Sequence, residues 1–379
     1  MSAEGSAEPV ALGDHQTSWR PEILDLGSAE GRARLAALGR DGIVFSRHDT
    51  IDEQLRDLVA CRHPAEDPDR AALERHVAAH LGGRSSAEHG RWIHYPWSGR
   101  LVHLLPEDEF RELRSNRNRD KITADEQRRL RQGRIGVVGL SVGQASALTL
   151  ALEGVGGAFR LADFDTLALS NLNRLRAGTH ELGLNKAVLA ARQMFEIDPY
   201  LDIEIFPAGL DEASIERFMG DGAGRIDVLV EECDDFFVKV LARHEARRRQ
   251  IPVVMDTNDR GLLDIERFDL EPTRPLFHGL AGELDPERLR GLSMKEKLPY
   301  VMRIIDETAI SPRLARSMPE IKRTLCTWPQ LASGVALGGA LVAHAVRRIL
   351  LGQMSASGRF YVDIEAIVAD PPPAAAPAA

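Results

Sequence analysis

RIGVVGLSVGQASALTLALEGVGGAFRLADFDTLALSNLNRLRAGTHELGLNK, residues 134–186, is the stretch whose reading decides the fold. An apolar run from Ile135 to Val138 reads as a buried strand that breaks at Gly139, Leu140, Ser141, Val142 and Gly143. Beyond the break Ala145, Leu148 and Leu152 recur at helical spacing, until Gly154, Gly156 and Gly157 stop the helix. A second strand, Phe159 to Ala162, then delivers Asp163. Strand, glycine turn, helix, strand and acid is the order of a mononucleotide-binding βαβ unit. In such a unit backbone N–H groups and a helix N-terminus meet phosphate, and the acid meets ribose hydroxyls.

Outward from this unit, helix and strand keep alternating. Helices are expected at 185–197, 211–219 and 236–250, and strands at 202–206, 226–230 and 251–255. That alternation specifies an α/β fold with a doubly wound, mostly parallel, Rossmann-like sheet, whose ligands sit at the carboxyl ends of the strands. Residues 258–325 are less regular: 262–270 reads as an antiparallel strand, with helices at 286–292 and 295–305. Residues 331–351 are rich in small apolar residues but carry His344, Arg347 and Arg348, so a closely packed buried helix is expected there and not a membrane span. A last strand is expected at 359–367. Before the βαβ unit, residues 107–133 are highly charged and predict two helices, the second opened by a capping box of Thr123 and Glu126.

The organisation expected is a loose tail at 1–20, a small α+β lobe at 21–110, a nucleotide-binding domain at 111–367 and a disordered Pro/Ala tail at 368–379. In the lobe, helices are expected at 31–38, 52–60 and 69–81, a strand at 43–45, and a strand pair within RWIHYPWSGRLVHLLP. His94 and His103 there either line a pocket or pack with a polar tip inward. The chain has 379 residues, a net charge of −9 and a pI near 5.8, so no global positive field draws it to nucleic acid or anionic lipid. Cys61, Cys233 and Cys326 form no CxxC, which excludes the usual structural zinc frameworks and fits a reducing cytoplasm. The acidic N-terminus lacks the pattern of a signal peptide.

GLSVG also matches GxSxG, the nucleophile elbow of serine hydrolases, but no oxyanion loop precedes it and His278 is the one later histidine with a plausible setting. The residues downstream of the second strand say more. Asp163 and Asp165 are followed by Ser170, Asn171, Asn173 and Arg174, and then by Lys186. A nicotinamide has no need of two cations here, whereas a triphosphate does: Arg174 can grip phosphate oxygens bidentately and Lys186 can add a point charge. Taken singly, Arg174 reads as a loop cap and Lys186 as a solvated side chain. At the end of the 226–230 strand come Glu231, Glu232, Asp234 and Asp235, four carboxylates that are either solvated or hold a cation. Beside a triphosphate that cation is Mg²⁺, with Asp234 as its ligand.

The turn, DFD, SNLNR, Lys186 and the Asp234 cluster, in this order, resemble the ThiF/MoeB superfamily, relatives of the ubiquitin-activating enzymes, from about Arg114 to Gly352. The resemblance implies ATP and Mg²⁺ as cofactors and adenylation of a carboxylate, of a protein or peptide C-terminus, with release of pyrophosphate. It places Gly139, Ser141 and Gly143 in the phosphate turn, Asp163 on the ribose, Asn171, Arg174 and Lys186 on the phosphates and Asp234 on magnesium, with Asp165, Ser170, Asn173 and Asp235 beside them. Arg114 to Asn118 is similar to a family motif whose second arginine reaches the partner subunit's nucleotide, which nominates Arg117 and implies a homodimer. Cys326 stands about where several relatives carry a covalently reacting cysteine; as a residue on its own it reads as a buried, inert thiol. The wording of the turn and lobe is similar to a narrower branch, some of whose members are fused to a nitroreductase-like flavin domain, which implies a flavin partner. The turn has lost glycines, Leu175 replaces a common glutamine, Asp235 replaces an asparagine, and the paired CxxC motifs of many relatives are absent. Two other readings of the same βαβ unit are a NAD(P)- or flavin-linked oxidoreductase and a non-catalytic nucleotide-binding recruitment module.

Overall fold

The structure is a computed structural model that describes residues 17–64, 69–282, 284–289, 292–306 and 308–369. Of the tails expected at 1–20 and 368–379, residues 1–16 and 370–379 lie outside the described residues. The chain divides into two units, Met1–Arg128 with Val188–Asp202, and Arg129–Ala187 with Ile203–Ala379. The charged stretch 111–128, grouped by sequence with the nucleotide-binding domain, thus lies on the lobe's side of the division.

The first unit holds a four-stranded sheet in the order β1 (Glu22–Asp25), β3 (Arg91–Tyr95), β4 (Arg100–Leu104), β2 (Ser46–Asp49). The expected hairpin is present: β3 and β4 pair antiparallel with Trp92 opposite His103. The edge strand β2 lies at 46–49 rather than 43–45, and β1, in the short segment EILD, carries no alternation long enough to stand out. Helices α1 (Ala29–Arg40), α2 (Ile51–Arg62) and α3 (Arg70–Leu81) have the expected positions. His94 and His103 are packing elements. His103 is fully buried, stacks on Trp92 at 4.5 Å and bonds Asp49 and the His89 carbonyl; His94 bonds Glu22. Helices α4 (Glu107–Arg114) and α5 (Ala124–Leu130) follow, and Thr123 and Glu126 make the reciprocal capping bonds.

The second unit is built on a seven-stranded sheet. Its order is β11 (Gly358–Tyr361), β10 (Leu262–Glu266), β9 (Val253–Thr257), β8 (Val228–Glu231), β5 (Arg134–Val138), β6 (Ala158–Ala162), β7 (Asp202–Phe206). Strands β6, β5, β8 and β9 run parallel, and β10 and β11 add an antiparallel edge. The chain builds outward from β5 through β6 to β7 and then returns to β8 on the other side of β5. The crevice at the carboxyl ends of β5 and β8 is therefore the switch point where such sheets bind ligands.

Between these strands along the chain come α6 (Gly143–Glu153), α7 (Lys186–Ile197), which belongs to the first unit from Val188 onward, α8 (Ile215–Met219) and α9 (Phe236–Arg248). The irregular region contributes α10 (Pro286–Leu289), α11 (Met294–Ile305) and α12 (Pro312–Ser317), the last capped by Ser311 and unforeseen in the sequence. The small residues of α13 (Ala332–Leu350) serve close packing: a Cβ on Gly339 would sit 2.8 Å from the backbone of Ala145 in α6. The strand expected at 359–367 is shorter. It ends at Tyr361, and Asp363 then caps a one-turn helix, α14 (Ile364–Ile367), by accepting from the Ala366 N–H.

Candidate active site

The glycine turn between β5 and α6 is shaped by close approach. Gly139 has φ +82, and a Cβ there would lie 2.6 Å from the carbonyl of Glu232 at the end of β8. Gly143 opens α6 hard against β5, where a Cβ would meet Val137 at 2.9 Å. Among the described residues no side chain caps the start of α6.

The acid after β6 fixes this turn. One oxygen of the buried Asp163 carboxylate accepts from the Leu140 N–H at 2.7 Å and the other from the Asp165 N–H at 2.8 Å. Burial raises the pKa of Asp163, and the backbone donors and Lys186 pull it back part of the way. Lys186, at the first position of α7, is only 4 % exposed, so it is not a solvated side chain. Its ammonium donates to Ser141 Oγ at 3.0 Å and to Asp165 Oδ2 at 2.8 Å. Asn185 holds the same loop by donating to the carbonyls of Asp163, Asp165 and Pro207. Ser141, the residue that replaces a glycine, is thus the hydroxyl that anchors the lysine to the phosphate turn. This partnership leaves no histidine role for a serine nucleophile; His278 is committed to Asp264 at 2.8 Å.

SNLNR forms a separate tight turn. Asn171 accepts from the Ala168 N–H, and Asn173 donates to the carbonyl of Gln330, just before α13. Arg174 leans on Asn173 at 2.9 Å and reaches the Ser170 carbonyl, while its Nε is buried without a hydrogen-bond partner among the described residues. Burial lowers its pKa and the field of Asp234 raises it. A desolvated guanidinium with an unused donor beside an exposed carboxylate suits a bound anion better than it suits a loop cap.

The acidic cluster separates into different roles, which corrects the picture of four equivalent carboxylates. Glu231 is fully buried, bonded by Lys239 at 2.8 Å and paired with Arg243, which also bonds Glu266 at 2.7 Å. Burial would raise its pKa, but Lys239 and Arg243 hold it below the usual carboxylate range. Asp235 caps α9 through the Val238 N–H at 3.0 Å. Asp234 alone is exposed without a structural bond among the described residues. Cys233 is pushed up by burial and by Glu231, so it is no ready thiolate.

Glu232 turns the other way, under the sheet end, and accepts from the Asp256 N–H at 3.0 Å. Asp256, at the end of β9, is 4 % exposed, and its carboxyl group lies against Gly338 of α13 and beside that of Glu232. Burial drives both pKa values up, and the neighbouring Asp256 charge pushes Glu232 further. Sequence inspection passed over Asp256; its signal was an acid closing the apolar run VVM at the carboxyl end of a parallel strand.

Two pockets meet at this point. One, of about 80 Å³, is lined by Gly139, Ser141, Asp163, Asp165, Asp234 and Asp235 among others. The second, of about 230 Å³, lies on the far side of the Glu232–Cys233–Asp234 segment, which lines both. The structure therefore brings together Gly139, Ser141, Asp163, Asp165, Lys186 and Asp234, with Arg174 in the field of Asp234. Arg117, nominated to act from a partner subunit, is exposed on a short 3₁₀ turn, Asn116–Asn118, of the first unit, and Cys326 is an exposed thiol in a loop, not the buried one expected.

Residues 114–364 match the model of a family described as ThiF family. A Mycobacterium tuberculosis protein named uncharacterized protein MT1398 is 45 % identical over 346 residues, which cover 88 % of this chain and 47 % of that protein. The chain thus spans about half the length of that relative. A molybdopterin-synthase adenylyltransferase of Haemophilus influenzae is 28 % identical over 185 residues, 48 % of this chain and 73 % of that one. Among solved structures, the Escherichia coli tRNA N6-threonylcarbamoyladenosine dehydratase TcdA aligns at 17 % identity and a TM-score of 0.44, over 64 % of this chain and 95 % of its own.

Proposed function

This chain belongs to the ThiF family, and from that premise we propose that it is an ATP-dependent adenylating enzyme. A carboxylate, at a protein or peptide C-terminus, attacks the α-phosphorus of ATP, the bond to the β-phosphate oxygen breaks and pyrophosphate leaves. The acyl adenylate is then open to an amine or sulfur nucleophile. The observation that carries this reading is the position of Lys186, buried and tied to Ser141 and Asp165, which line one pocket together with Asp234.

Two anions must meet in this reaction, and a static cationic frame lowers the cost of their approach more than any covalent chemistry would. Lys186 and Arg174 supply that frame. The exposed oxygens of Asp234 are hard donors, which fits Mg²⁺ shared with phosphates and water. Mg²⁺ there would neutralise phosphate charge. Asp163 holds the turn through Leu140 and Asp165, so its contribution to the ribose would come through the oxygen lone pairs that remain. Arg117 acting across a homodimer, a nitroreductase-like flavin partner and a cytoplasmic location belong to the same proposal. Among the described residues no helix is long and apolar enough to cross a membrane.

ATP–pyrophosphate exchange tests the proposal. Exchange that depends on candidate carboxylates and vanishes in Asp234→Ala supports it; exchange that survives this substitution refutes the role of Asp234. Mixed dimers of Arg117→Ala and Asp234→Ala should regain part of the activity, and none regained from a demonstrated mixed dimer rules out the arginine in trans.

A further inference from the structure

Three metal-ligating side chains converge inside the first unit, and the chemistry proposed above uses none of them. His80 stands in the last turn of α3, His89 in the loop that enters β3 and Glu109 in the first turn of α4. Their ligand atoms, two imidazole nitrogens and a carboxylate oxygen, all lie within 4.8 Å of one another. The buried His89 places its Nε2 2.8 Å from Glu109 Oε2. His80 brings its Nε2 to 2.9 Å from Oε1, the other oxygen, with the two rings edge to face at 82°. That second nitrogen is shut off from solvent and yet makes no hydrogen bond among the described residues, because its ring and the oxygen are out of line. A buried nitrogen left unbonded beside a carboxylate is costly. A cation held by the same carboxylate would engage it.

We infer that His80, His89 and Glu109 form a binding site for a divalent transition-metal ion, with Zn²⁺ as the best fit and water in the fourth position. Two imidazoles and a carboxylate are a cysteine-free donor set that suits this ion. Tetrahedral bonds of about 2.0–2.1 Å put ligand atoms about 3.4 Å apart, so Glu109 need withdraw only about half an ångström from each ring. The surroundings hold the ligands in place. His103 donates from Nε2 to the His89 carbonyl at 2.7 Å, which fixes the backbone at that ligand. Arg62 donates to His80 Nδ1 at 3.3 Å, so without metal the His80 ring carries its proton on Nε2. On binding, the same neutral ring carries that proton on Nδ1 and the Arg62 donor turns aside. Arg62 stays tied to Glu112 by bonds of 2.9 and 2.6 Å, so one long hydrogen bond gives way to a coordination bond. The ion clamps α3, the entry to β3 and α4 to one another.

Zinc titration of the full chain tests this, after stripping with a chelator and in excess Mg²⁺, which fills oxygen-only sites but competes poorly for imidazole. Calorimetry should show one tightly bound Zn²⁺ per chain, with an affinity that falls at least about tenfold in His80→Ala and in Glu109→Gln. The same Zn²⁺ concentration should raise the thermal midpoint of the native chain more than that of His80→Ala. His80→Ala leaves the bond between Glu109 and His89 in place, and circular dichroism of the metal-free proteins checks that each variant folds. Where Glu109→Gln does not fold, the His80→Ala comparison decides by itself. Absence of zinc binding, or native affinity retained in either folded variant, overturns the inference.

Discussion

Replacing Lys186 with methionine should separate nucleotide binding from folding. Methionine keeps the unbranched stem in a slot that is 4 % exposed and removes only the ammonium and its bonds to Ser141 and Asp165. A unit charge about 4 Å from a phosphate oxygen is worth about 4 kcal/mol at an effective dielectric near 20. Asp165 lies 2.8 Å from the ammonium and cancels part of that, but its side chain is 54 % exposed and therefore screened. A net loss of about 2–3 kcal/mol remains, or roughly 30- to 150-fold in ATP affinity. Calorimetric titration with MgATP, and the exchange assay at saturating carboxylate, should both show it, with a thermal midpoint close to that of the native chain. NAD affinity should scarcely change. A folded Lys186→Met protein that binds ATP within about threefold of the native affinity would refute the placement of a triphosphate beside this lysine.

Four further substitutions or conditions bear on the same geometry. Gly139→Ala combines a positive φ with a 2.6 Å approach to the Glu232 carbonyl, so it should cost about 2–4 kcal/mol in urea unfolding and weaken ATP binding as well. Gly339→Ala should push α13 away from α6 and lower stability by about 1–3 kcal/mol, read from denaturant midpoints, while ATP affinity changes little. Arg243→Met removes the guanidinium from Glu266, which keeps the Phe277 N–H, and from Glu231, which keeps Lys239, a loss of about 3–5 kcal/mol that should appear as a clear drop in thermal midpoint. Burial lifts Asp256 to about 7, so the folded protein holds a proton that the unfolded chain gives up near pH 4. The stability from that proton is complete below the unfolded value and is lost as pH rises through about 7, so the thermal midpoint should fall over that window, and Asp256→Asn should flatten the slope.

The βαβ unit was legible because each of its parts is dictated locally. An apolar run, a glycine break, a 3.6-residue repeat and a closing acid need no distant contact to be recognised. The strands at 134–138, 158–162 and 202–206 and the antiparallel partner at 262–266 follow from the same kind of pattern. Helix α12 and the short β1 did not show, because one is six residues and the other four, too few for a period to be established. The 359–367 segment was overextended because Asp363, read as one more strand residue, is a helix cap that only its bond to Ala366 reveals.

The residue types at the site were legible too, since Arg174, Lys186 and Asp234 carry charge where a dinucleotide needs none. What they do to one another was not. Ser141 looked like a lost glycine, and the 3.0 Å bond that makes it the partner of Lys186 joins residues 45 positions apart. Glu231, Glu232, Asp234 and Asp235 look alike as letters. Their fates divide because one enters a buried ion network, one turns toward Asp256, one faces the crevice and one caps a helix. By itself the sequence determined the doubly wound sheet and the charged residue types along its central strands and loops, because periodicity and charge are properties of neighbours along the chain. Only the tertiary structure decided which acids join an ion network, which cap a helix and which lie beside one another, because burial and partnership depend on strands β8 and β9 lying side by side.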